Sequence, residues 1–144
     1  MGNTCRSPMA QSFFKEYVRD YPEFISYEVT SAGLMAHEGQ RSSPLAEEVM
    51  RKRGLSLAHH RARLLTQEIV DRAAAIICAT ADQENFLKNS FVNLPEICTS
   101  FFKFGGDVSD PYGEGLEVYG KIADEIEKKL PAVIKFLREE FDDH

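Results

Sequence analysis

The chain of 144 residues is 43% hydrophobic and 28% charged, with a formal net charge of −6 and a pI near 5.2, the composition of an ordinary globular domain with one sizeable core. That acidity argues against an electrostatic nucleic-acid binder, because phosphate backbones are held by clustered Lys and Arg. No run of about 18 apolar residues and no charged segment leading into an apolar one is present, so neither a membrane span nor a secretory signal is read and a cytoplasmic protein is the expectation.

In chain order, Ser7 and Pro8 read as a helix start, Ser as the cap and Pro at the first position. Met9, Phe13 and Tyr17 then recur at helical spacing to about Arg19. Tyr27 to Ser31, YEVTS, has strand propensity, and Ala32-Gly33 ends it. Ser43-Pro44 repeats the cap signal and opens a helix through Val49 and Met50 that Gly54 closes. Thr66 caps a short helix with Gln67 and Glu68 in its first turn. The run AAAIICAT, Ala73 to Thr80, is continuously apolar, as befits a strand buried on both faces, and a short helix from about Asp82 to Leu87 follows. Ile97 to Phe102 reads as another strand, and the loop GGDVSDPYGEG leads into the last helix. There Leu116, Tyr119, Ile122, Ala123, Ile126, Leu130, Val133, Ile134, Leu137 and Phe141 form one apolar stripe. Pro131 interrupts it, and an interior Pro costs roughly 3 kcal/mol, so a kink or a break near Leu130 is expected.

Helices alternating with strands predict an α/β protein in three layers, an open parallel sheet with helices on both faces and ligands at the strands' C-terminal ends. No internal repeat or linker-like composition divides it, so residues 1–144 are read as a single domain. The three cysteines, Cys5, Cys78 and Cys98, are an odd number without CxxC spacing or a matching His cluster. A disulfide framework and a zinc site are therefore not expected, and no metal or cofactor is.

The opening stretch, MGNTCRSPMAQ, carries the chemistry. A loop whose successive N–H groups converge at a helix N-terminus stabilises a dianion. Gly2 allows close backbone approach, Asn3 tolerates the left-handed conformation such loops need, and Arg6 offers a planar bidentate contact to phosphate oxygens. On local physics alone a plain capped turn accounts for GNTCRSP about as well, since the spacings of nucleotide-binding loops are absent.

GNTCRSPMA resembles the active-site signature of the low-molecular-weight protein tyrosine phosphatases, Cys-x-Gly-Asn-x-Cys-Arg-Ser-Pro. The resemblance extends through TSAG at Thr30 to Gly33, AHHRAR around His60, the IICAT segment and Asp110-Pro111-Tyr112, in the family's order. It implies that Gly2, Asn3, Thr4, Cys5, Arg6 and Ser7 bind phosphate, with Arg6 on the phosphoryl oxygens and the Ser7 hydroxyl stabilising a thiolate. Asp110 matches the general acid, His60 a histidine supporting the loop asparagine, and Tyr112 the mouth of the pocket. In the family's Cys-x5-Arg loop the first Cys is the nucleophile, and aligning Arg6 places it immediately before Met1. Cys5 matches the second loop cysteine, which can form a protective disulfide with the first and is not the attacking group. Six residues after Cys5, Cys78 and Cys98 stand Gln11, Glu84 and Phe104, so none repairs the motif.

The resemblance thus implies a protein phosphatase working through a phosphocysteine, with phosphorylated proteins as partners. The chain itself is expected to lack the nucleophile and the central first strand, to be truncated, and to be inactive as given. Thr4 and the loop GDVSDPYG are similar to the bacterial protein-arginine-phosphatase branch, which favours phosphoarginine over phosphotyrosine. A non-catalytic phosphate-binding relic and an arsenate reductase on the same fold are the alternatives.

Overall fold

A computed structural model describes residues 2–142. Its helices are α1 (Arg6–Val18), α2 (Pro44–Arg51), α3 (Gln67–Arg72), α4 (Ala81–Ser90) and α5 (Leu116–Asp142), with strands β1 (Ala75–Cys78) and β2 (Ile97–Ser100) and 3-10 turns at Pro22–Phe24 and Phe101–Phe104. The strands pair in parallel, Ala75 opposite Ile97 through Cys78 opposite Ser100. Parallel strands need a crossover, and α4 supplies it while packing on both.

Local chemistry sets most boundaries. The Ser43 and Thr66 hydroxyls accept from Ala46 N and Ile69 N at the starts of α2 and α3, and Thr80 does the same for Gln83 N in α4. Gly54, at φ 78°, ends the α2 segment as expected. At α1 the expected cap shifts: the helix begins at Arg6 with Cys5 before it and no side-chain cap. Ser7 and Pro8 therefore lie inside the first turn, where a proline still deprives the helix of no bond because the first four N–H groups are unpaired.

The main core lies between α1, α2 and α5. Met9, Phe13, Ala46, Val49, Met50, Ile126, Leu130 and Val133 are buried there, joined by Ile97 from the sheet. Each fully buried large side chain contributes roughly 1.5–3 kcal/mol. Val70, Leu87 and Cys78 are buried outside that cluster, so helices cover the sheet on both faces. Pro131 neither breaks nor ends α5. Leu130, Val133, Ile134 and Leu137 are all buried around it, and that packing outweighs the one missing backbone bond.

Three expected strands change. Tyr27 to Ser31 is extended but forms no ladder. Gln11 Nε2 donates to the Val29 carbonyl and Arg63 Nε to that of Ser31, so side chains occupy acceptors that a neighbouring strand would have taken. The apolar run 73–80 contributes only Ala75–Cys78, and the first three residues of that strand are half-buried where full burial was expected. Among the described residues β1 is paired along one edge alone. The second run, read to Phe102, leaves the ladder at Ser100 and turns into the 3-10 segment.

Candidate active site

The segment before α1 is held by a polar network that uses both ends of one asparagine's amide and its carbonyl. Asn3 sits at φ 62°, a conformation that asparagine tolerates better than most residues, and is 2% exposed. Its Nδ2 donates to Ser31 Oγ at 2.9 Å, and its Oδ1 accepts from Arg63 N at 3.0 Å. The Asn3 carbonyl accepts from His60 Nε2 at 2.7 Å. A carbonyl cannot donate, so His60 carries its proton on Nε2 if neutral. The next carbonyl, of Thr4, accepts from Ser43 N at 2.9 Å, which ties the loop to the N-cap of α2.

Arg6 is 8% exposed. Its Nη1 donates to the Val108 carbonyl at 2.8 Å, and Nη2 lies 3.8 Å from Asp110 Oδ2. Val108 N in turn donates to the Ala79 carbonyl just beyond β1. The loop carrying the acid is thus fixed both to the guanidinium and to the C-terminal end of a strand, the place where open α/β sheets bind ligands. Asp110 Oδ1 accepts from Tyr112 N at 3.1 Å in a local turn, while its side chain stays 48% exposed and so remains available to a ligand.

Gly2, Asn3, Thr4, Cys5, Arg6, Ser7, Asp110 and Tyr112 line one cleft of about 280 Å³, joined by His37 and Gln40. The structure thus gathers the six loop residues, the aspartate and the tyrosine read from the sequence, and places His60 behind the loop as a brace. Tyr112 projects into solvent at the mouth, 80% exposed. Gly2 is freer than expected: a Cβ there would meet only Thr4 Oγ1, at 3.9 Å, so the protein's own packing does not demand glycine. A helix N-terminus and one guanidinium suit the cleft to a tetrahedral oxyanion, with a carboxyl beside it to exchange a proton.

Cys5 is buried, and its Sγ lies 3.4 Å from the hydroxyl of Tyr119, a residue of α5. The sequence marks Tyr119 only as part of an apolar stripe, and nothing in its spacing signals the polar contact. His37 and Gln40 likewise sit in a segment without a motif. Burial foremost, then the bond to Cys5, pushes the Tyr119 hydroxyl up to about 12. Cys78 is pushed up from 9.0 to about 12, by burial first and then by Cys98 and Glu84. The described residues bring no three His, Cys, Asp or Glu together as a metal-binding group. Nor do they include a helix long and apolar enough to cross a membrane.

Comparison with known proteins shows what the chain as a whole is similar to. The family model described as low molecular weight phosphotyrosine protein phosphatase matches residues 1–143. A protein-arginine-phosphatase of Geobacillus stearothermophilus is 31% identical over 143 residues, 96% of this chain and 93% of the relative. The crystal structure of a low molecular weight protein tyrosine phosphatase from T. tengcongensis superposes with a TM-score of 0.84 at 33% identity, covering 94% of this chain and 93% of the other. An arsenate reductase of Staphylococcus aureus is 27% identical over 125 residues, 87% of this chain and 84% of the relative. These matches run along nearly the whole chain and lend no support to an inactive relic.

Proposed function

Because the chain belongs to the low molecular weight phosphotyrosine protein phosphatase family, we propose that its cleft binds the phosphoryl group of a phosphorylated protein, phosphoarginine in preference to phosphotyrosine, for hydrolysis through a phosphocysteine in the cytoplasm. What carries the reading is the placement of Arg6 and Asp110, 3.8 Å apart over the loop. One stabilises the equatorial oxygens, and the other protonates the departing nitrogen or oxygen. A thiolate attacks phosphorus, forming the S–P bond as the P–N or P–O bond breaks, and Asp110 gives its proton to the leaving group. Water then attacks the phosphocysteine, Asp110 takes its proton back, and phosphate departs as the thiolate is restored.

The preference for phosphoarginine rests on Thr4 in the cleft wall and on the arginine phosphatase among the relatives. A hydroxyl can accept from a guanidinium, whereas an aliphatic side chain cannot. An arsenate reductase has less support, since Cys78 and Cys98 lie in β1 and β2 and the Cys78 thiol is strongly held in its neutral form.

The environment of Cys5 supports a structural role for that thiol, because its sulfur is packed in the core against α5. The protein is expected to bind oxyanions in the cleft through Arg6. Calorimetry with inorganic phosphate should find binding in Cys5→Ser and none in Arg6→Ala. Turnover that Cys5→Ser abolishes would make Cys5 the attacking group. Phosphoarginine should compete for the cleft better than a phosphotyrosine peptide, and Thr4→Ile should erase the difference. A preference unchanged in Thr4→Ile would overturn the assignment of substrate.

A further inference from the structure

The back of the phosphate cradle is closed by a group outside the loop. Tyr119 is 3% exposed and projects from the first turns of α5 between the loop and α2. Its hydroxyl lies 3.4 Å from Cys5 Sγ and 3.4 Å from Ser43 Oγ. Ser43 Oγ accepts from Ala46 N, and Ser43 N donates to the Thr4 carbonyl. Donors and acceptors along this path run one way. The Ala46 N–H points to Ser43, the Ser43 O–H points to the Tyr119 oxygen, and the Tyr119 proton is left for the sulfur. In an apolar surround, bonds in such a chain polarise one another.

The geometry points to Tyr119 as a positioning residue of the phosphate cradle: its hydroxyl holds the Cys5 sulfur against α5 and so keeps the loop's N–H groups converged on the anion. Cys5 immediately precedes α1, with φ −124° and ψ −85° and no side-chain cap of its own. Beyond the first helical bond, Met9 N to the Cys5 carbonyl, that junction is anchored from two neighbouring helices. On one side the anchor is α5, through Tyr119. On the other it is α2, through the Ser43 amide on the neighbouring carbonyl of Thr4. The hydroxyl remains protonated, and hence a donor, throughout the neutral range, because burial and Cys5 push its ionisation up to about 12.

This role rests on the anion-binding reading of the cleft but is read out separately from it. Tyr119→Phe keeps the ring and its packing and removes only the hydroxyl. Two quantities decide: the affinity for inorganic phosphate, and the rate at which iodoacetamide labels Cys5, followed by peptide mass spectrometry to separate it from Cys78 and Cys98. Loss of one hydrogen bond corresponds to a change of about fivefold. The variant should therefore bind phosphate about 3- to 10-fold more weakly and label at Cys5 several-fold faster, with its melting temperature nearly kept. Ser43→Ala should reproduce part of the effect, Ser43→Thr should restore it, and Ser43→Ala added to Tyr119→Phe should do less than the two changes separately. An unchanged Cys5 labelling rate in Tyr119→Phe would overturn the proposal, whatever happens to the melting temperature. If the unaltered protein binds no phosphate, the reading of the cleft fails while the labelling rate still decides the fate of the clamp.

Discussion

Residues 2–7 and the sheet of β1 and β2 lie at opposite extremes of how a small protein holds its shape. At the cradle, Asn3 alone is fixed through both ends of its amide and through its carbonyl, and Arg6 through a carbonyl and a carboxylate. Every buried side-chain nitrogen and oxygen among the described residues has a partner. The sheet is four residue pairs wide in register, half-buried along most of β1, and paired on one edge of that strand among the described residues. Directional bonds set the site to within fractions of an ångström. Apolar area, which is indifferent to exact position, sets the scaffold.

The contrast can be broken most sharply at Arg6. Arg6→Ala removes charge-assisted contacts worth roughly 1.5–3 kcal/mol each, so phosphate affinity measured by calorimetry should fall about 100-fold or more. A loss below tenfold would mean that the backbone N–H groups do most of the binding. Asn3→Ala should cost about 2–4 kcal/mol in urea unfolding, because it strands the Arg63 N–H and places alanine at φ 62°. In the sheet, Ile77→Ala should cost only about 1–2 kcal/mol, below the 2–5 kcal/mol usual for a fully buried isoleucine. An equal cost at Asn3 and Ile77 would erase the distinction between the two regions.

The smallest effect concerns pH. The Cys78 thiol ionises at 9.0 ordinarily and at about 12 in the fold. Its contribution to stability is fully present below pH 9 and is lost as pH rises through about 12, since the unfolded chain releases its proton first. Tyr119, raised from 10.0 to about 12, acts in the same direction. Cys78→Ala should therefore flatten part of the alkaline fall in melting temperature while changing little at pH 7, and an unaltered alkaline limb would contradict the burial of this thiol.

What could be read from the sequence was what depends on near neighbours. Ser43 and Thr66 reveal caps because a hydroxyl reaches an N–H three residues on, and Gly54 reveals a helix end because of its backbone. YEVTS misleads because strand propensity describes a side chain's fit to a pleated surface, whereas a strand exists only when another chain segment takes its hydrogen bonds. Asn3 was legible as a left-handed residue, but its partners Ser31 and Arg63 lie 28 and 60 positions away. Tyr119 was hidden by its own regularity: the 3.6-residue period that buries its ring says nothing of where the hydroxyl ends.

Val108 hides more completely. It is fully buried, and both of its backbone polar groups are engaged, the N–H with Ala79 and the carbonyl with Arg6. Because this work is done by the main chain, Val108→Ala would leave both bonds in place and register only a small cavity. To alanine scanning, the residue that joins the sheet to the guanidinium is one more aliphatic core position. Replacing the amide between residues 107 and 108 with an ester, which deletes the Val108 N–H, would expose a dependence that no side-chain substitution can reach.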